Sequence, residues 1–281
     1  MKTIAKTGLL AFVLLSGGLA STPAHAGRGA RYSTIMSAIQ SNNADVIASE
    51  LERAERLVCG RCVEPVRALL DHPEYRVREV AAWWFARRPA LKAELTTEAL
   101  TRLQSGDTIR VRNAADVLGT FRHPQVLPAI QAALGRSDLG AEAKVALLRA
   151  VKTIADPRGE AIAQAGLREA DPTVKVAAVH ALWALRGTRG GQALAPLLTD
   201  ADVDVRRQTT AVMGSLKAAE LRGALEGLLA SDADWIVRRN AAFALGTLGD
   251  AASRGALEAA AGGDASSMVR SVARASIRKL R

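Results

Sequence analysis

The chain predicts an all-α fold, a right-handed α-solenoid, on three observations. Its 281 residues are 49% hydrophobic but only 4% aromatic, so the apolar content is carried by Ala, Leu and Val, a helix-packing composition. A large apolar residue recurs as Phe85, Leu118, Val151, Leu182, Met213, Leu245 and Ile277, at spacings of 33, 33, 31, 31, 32 and 32. Within a unit the apolar residues share one helical face: in residues 234–249 (DWIVRRNAAFALGTLG), Val237, Ala241, Ala244, Leu245 and Leu248 follow at steps of 4, 3, 1 and 3. A helix with that little polar surface needs neighbours, and a fixed period of such helices stacks into one continuous core.

The N-terminus reads as a secretory signal. Lys2 and Lys6 precede a short apolar run, residues 9–15 (LLAFVLL), and Ala24-His25-Ala26 supplies a small-x-small cleavage site. The run is too short to span a bilayer unaided. Cleavage after Ala26 is expected, with no cysteine nearby to accept a lipid, and the expected location is periplasmic or secreted. Residues 27–43 read as a linker and lead-in with a helical turn around Ile35 to Ile39, and residues 44–281 as the solenoid.

From Ala44 the pattern is helical through DVIASELERAERLV, stopping at Gly60, and a second helix runs from about Cys62 to Leu70. Beyond Asp71 the units are regular. Four positions before the large column, a mostly small residue lets helices approach: Ala81, Ala114, Leu147, Ala178, Thr209, Ala241 and Ala273. A second column, Val66, Ile130, Ile162, Leu194, Leu225 and Leu257, belongs to the second helix of each unit. Asp234 is placed to cap its helix and Gly249 to end it in a left-handed turn. The count is about seven helical hairpins plus a final helix over 268–281, in which Arg270, Arg274, Arg278, Lys279 and Arg281 read as a charged cap or, alternatively, a basic docking tail.

The motif form resembles HEAT repeats, especially the short type called PBS-lyase HEAT-like. The resemblance rests on Asp171/Val174/Lys175/Ala178, Asp202/Val205/Arg206 and Asp234/Val237/Arg238/Ala241, and covers roughly residues 44 to 280. Arg110 and Ala143 stand where the pattern has Val, and Ser266 where it has Asp. The resemblance implies a binding scaffold whose concave surface, formed largely by the second helices, holds a protein partner. It carries no lyase activity with it. A HEAT-like family of di-iron hydroxylases uses His-Glu pairs as ligands, and this chain has no His-Glu dipeptide.

Cys59-Gly-Arg-Cys62 reads as a structural disulfide stapling the first hairpin, with a thiol-redox role as the alternative. No βαβ context supports a redox fold, Val63 excludes covalent haem attachment, and two thiolates make an incomplete zinc site. His72, His123 and His180 show no metal-ligand spacing, and Asp200, Asp202 and Asp204 lack the Gly and Glu of a calcium loop, so they read as capping acids. No nucleophile elbow, phosphate loop or dinucleotide fingerprint occurs, so no catalytic, cofactor or metal residues are named and a non-enzymatic role is expected.

A net charge of +10 permits anionic partners. Repeated cations (Arg76, Arg78, Arg110, Arg112, Lys144, Lys175, Arg206, Arg207, Arg238, Arg239, Arg270) read as an Asp/Arg ladder between repeats, or as a basic edge for an anionic glycan or membrane surface. Secretion argues against nucleic acid. Trp83 and Phe243 share a column with Asp116, Arg149 and His180, a face read as partly wet, and together with Trp235 they are the candidate partner-binding residues. Trp183 replaces the Gly seen at Gly119, Gly214 and Gly246 and marks a unit with different local packing.

Overall fold

The structure is a computed structural model and describes residues 30–185, 190–216 and 218–280. The expected signal segment, 1–26, and Arg281 lie outside the described residues. Among those residues sixteen α-helices follow one another without a strand. Helix α1 (Tyr32–Gln40) precedes seven helix pairs: α2 (Ala44–Arg53) with α3 (Val63–Ala68), α4 (Tyr75–Ala86) with α5 (Pro89–Arg102), α6 (Thr108–Phe121) with α7 (Leu127–Leu134), α8 (Ala141–Ile154) with α9 (Glu160–Gly166), α10 (Pro172–Leu185) with α11 (Gly190–Leu194), α12 (Val203–Leu216) with α13 (Arg222–Ser231), and α14 (Trp235–Leu248) with α15 (Arg254–Gly263). A lone α16 (Ser267–Ile277) ends the stack. The first helices form one layer and the second helices the other, an α-solenoid.

The periodic columns are its core. Phe85, Leu118, Val151, Leu182, Met213 and Leu245 are all buried, as are the whole small column and the second-helix column from Val66 to Leu257. Each large side chain so placed contributes about 1.5–3 kcal/mol from apolar burial. Only Ile277, in the last helix, is half-exposed. It has a neighbouring helix on one side alone.

Side-chain caps fix the helix starts. Asp107, Asp171, Asp202 and Asp234 each accept two backbone N–H groups of the first turn, Asp234 from Ile236 at 3.0 Å and Val237 at 3.1 Å. In α6 the cap is intact although Arg110 replaces Val, because the buried role passes one residue along to Val111. Helices α8 and α16 start without a side-chain cap.

The expected ladder is present as a staircase. Lys144 meets Glu169 at 2.8 Å, Lys175 meets Asp200 at 2.6 Å, Arg206 meets Asp232 at 2.9 Å and Arg238 meets Asp264 at 2.8 Å. Each cation runs from a first helix to the turn that closes its own pair and opens the next. Arg206 and Arg238 also donate to two backbone carbonyls of the preceding turn.

Two differences from the sequence reading concern the N-terminal end. Part of the expected lead-in is the ordered helix α1, which buries Ile35 and Ala38 and bonds Thr34 to Glu50. Helix α2 stops at Arg53 rather than at Gly60. The carbonyls just beyond its end are taken by tertiary donors: Trp84 Nε1 donates to Ala54 O at 3.2 Å, and Arg88, stacked on the Trp84 ring, donates to Leu57 O at 2.9 Å. Cys59 therefore lies in a connecting turn. Its sulfur is within disulfide distance of the fully buried Cys62.

Candidate partner-binding face

The two layers differ in spacing. First helices touch backbone to backbone: a Cβ added to Gly119 would lie 2.8 Å from Ala150 Cα, and one on Gly246 would lie 2.7 Å from Ser276 Cα. Second helices instead leave clefts between them, such as one of about 360 Å³ bordered by Leu100, Ala129 and Arg136. A curved double layer puts its tighter layer inside, so the concave surface belongs to the first helices. The expectation that the second helices form it is corrected. A single groove of about 720 Å³ runs across four first helices, with Ala48 and Glu52 from α2, Trp83 from α4, Thr120 from α6 and Thr153 from α8 on its walls.

Trp83 is half-buried in this groove, and the Arg87 guanidinium lies 4.9 Å from its ring centre. Arg87 is itself neutralised by Glu55 at 3.0 Å, and Arg76 pairs with Asp45. Beside it the Tyr75 hydroxyl donates to Glu79 at 2.9 Å, and burial, then that carboxylate, pushes the phenol pKa well up.

The column that contains Trp83 is drier than its residue types suggest. Asp116 is buried, accepting from Arg78 at 2.9 and 2.7 Å and from Arg149 at 3.0 and 2.8 Å. This triad ties α4, α6 and α8 together beneath the groove. Arg149 also stacks 4.1 Å from the Tyr75 ring centre. Farther along, His180 is half-buried, and burial followed by the nearby Lys152 charge lowers its pKa. The partly wet face of the sequence reading is thus corrected at Asp116, whose carboxylate is enclosed by two guanidiniums.

At the other end of the same layer, Trp235, Arg239 and Phe243 follow at steps of four on α14, one above another. Trp235 is 40% exposed and Phe243 49%. Arg239 lies 5.6 Å from the Trp235 ring centre, and Lys279 lies 5.0 Å from that of Phe243. These two predicted residues are brought together, whereas Trp83 stands five first helices away on α4. Between them lies Trp183, which the sequence marks for different local packing but not as a partner-binding residue; it is 42% exposed and donates through Nε1 to Ser215 at 2.9 Å. Its signal is the glycine column: a Trp where the helices otherwise touch turns outward and bonds across to Ser215 of α12.

Asp202 caps α12, Asp200 receives Lys175, and Asp204 meets Arg207 at 2.9 Å, so these acids are used structurally. Among the described residues no group of three or more His, Cys, Asp and Glu is arranged to hold a metal. What converges on the concave face is indole, phenyl, guanidinium and ammonium, with the carboxylates of Glu52, Glu55 and Glu79 at the Trp83 end. Such groups recognise by stacking, apolar burial and charge.

HEAT repeats match residues 191–278, and the PBS lyase HEAT-like repeat matches residues 111–136. No curated protein matches the chain by sequence. Among solved structures, YibA of E. coli is similar in fold, at 14% identity over 88% of this chain and 92% of that one, with a TM-score of 0.55. The CpcE–CpcF complex of phycocyanin lyase from Nostoc aligns at 18% identity over 94% of this chain and 100% of that one, with a TM-score of 0.40. Human deoxyhypusine hydroxylase aligns at 18% identity over 88% and 96%, with a TM-score of 0.39. Likenesses of that size carry no activity or ligand across. The matched repeats coincide with the capped, periodically packed helix pairs described above, and the chain carries HEAT repeats over these segments.

Proposed function

We propose that this protein is an exported, non-catalytic scaffold that holds a protein partner on the concave face of its first helices. The observation that carries the reading is the placement of Trp83, Trp183, Trp235 and Phe243 on that one face, partly exposed in a chain with few aromatics. Partly exposed aromatics on a rigid surface are efficient anchors, because each buries a large area while ordering few bonds. Export is supported by the residues of the N-terminal signal and by a cysteine pair at disulfide distance, which suits an oxidising compartment. N-terminal sequencing of the mature protein is expected to begin at Gly27.

The test is quantitative affinity capture with the wild type beside Trp83→Ala, Trp235→Ala and Phe243→Ala. The same captured protein should fall at least tenfold in one or more variants whose thermal unfolding is unchanged. Capture that is equal in all four proteins would overturn the reading. Cys59 and Cys62 act in it as a staple: the pair joins the turn after α2 to the buried start of α3, and Arg61 beside it packs 4.3 Å from the ring centre of Tyr32 in α1. A reduction potential below about −300 mV is expected for such a bond. An easily reduced pair would favour the thiol-redox alternative instead.

A further inference from the structure

We propose that the partner segment seated on the α14–α16 end of the concave face is acidic, an extended stretch carrying carboxylates beside one or two apolar side chains. This rests on the reading of that face as the docking surface and adds the chemistry of its occupant. The two ends of the face differ in how their charges are settled. Around Trp83, Arg87 is met by Glu55 and Arg76 by Asp45, Glu52 and Glu79 lie on the same walls, and of the lining cations only Arg122 has no ion pair among the described residues. Around Trp235 and Phe243 the balance is reversed. Among the described residues the Arg239 guanidinium bonds only to the amide oxygen of its neighbour Asn240, and Lys279 makes no ion pair, its contact being the Phe243 ring.

Each exposed ring at this end therefore presents a cation that no carboxylate of the described residues meets. The rings hold the cations by their negative faces, which leaves the charge directed at whatever lies on the surface. An apolar side chain on Phe243 with a carboxylate on Lys279, and a second carboxylate on Arg239 one or two turns away, would satisfy both. Charge-assisted hydrogen bonds of this kind fix register as well as affinity. An anionic bilayer carries the same charge, but it is flat. Phe243 and Arg239 lie on the inner face of a curved stack, which an extended chain can enter and a membrane surface cannot.

The experiment is selection of a displayed random 12-residue peptide library on the full chain, followed by binding of enriched peptides to Arg239→Glu, Lys279→Glu, Phe243→Ala and wild type, and to phosphatidylglycerol vesicles as a separate arm. Enriched peptides should be rich in Asp and Glu with an apolar residue. Their affinity should fall at least tenfold in each of the three variants and fall steeply with added salt. Neutral or basic peptides that still lose affinity in Phe243→Ala would overturn the acidic-segment proposal and leave the docking face standing. Peptides indifferent to all three variants would overturn both. Vesicle binding lost in Lys279→Glu, with no acidic peptide enriched, would assign the cations to a lipid surface and reject the proposal.

Discussion

Asp116 shows how a single residue escapes a reading by residue type. Its column contains Trp, Arg and His, which is why it reads as wet, yet its burial depends on Arg78 and Arg149 from two other helices, contacts that periodicity does not encode. The consequence is energetic. Removing one partner of a buried ionic group leaves the others uncompensated, so Asp116→Ala is expected to destabilise the fold by about 3–5 kcal/mol, measured by urea unfolding. A change below about 1 kcal/mol would mean that the guanidiniums find water or another acid. Asp234 gives the pH prediction. Its hydrogen bond to Arg207, with further help from the α14 amides, holds its pKa down at about 2. A pKa depressed in the folded state stabilises above the unfolded value near 4 and loses that contribution as pH falls toward the folded value. Unfolding followed between about pH 4 and pH 2 should therefore be steeper for wild type than for Asp234→Asn, which can still cap the helix. Equal slopes would contradict the pairing.

At the scale of elements, most of the architecture was legible because the same helix recurs. Seven pairs and a final helix follow from the columns, and the column residues are the ones buried. The boundaries that misled are those set from outside the element. Nothing local stops α2 at Arg53, since the following sequence favours helix; Trp84 and Arg88, thirty and more residues later, take the carbonyls of Ala54 and Leu57 just past its end. The glycine column was legible as small, but its purpose emerges from the spacing of adjacent first helices. Gly246 faces Ser276 so closely that a methyl group displaces α16, and Gly246→Ala is expected to lower stability by about 1–3 kcal/mol. Hydrogen exchange should localise the loss to α14 and α16. An unaltered exchange pattern there would show that the helices part without cost.

For the whole molecule, periodicity tells which side chains are buried but not which layer lies at the inner radius of the curve. That depends on interhelix distance, and the glycine contacts place the first helices inside. Trp83 and Phe243, which share one repeat column, thereby fall with Trp235 on one surface, with Trp183 joining them, while among the described residues the charge around them changes from mostly paired near α4 to unpaired near α14. The most direct measurement is site-specific photo-crosslinking in intact cells, with a benzophenone amino acid at position 243 on the concave face or at position 132 on exposed α7 of the convex face. The account predicts a crosslinked partner from position 243 and none from position 132. A partner captured from position 132 alone would place binding on the second helices and contradict it.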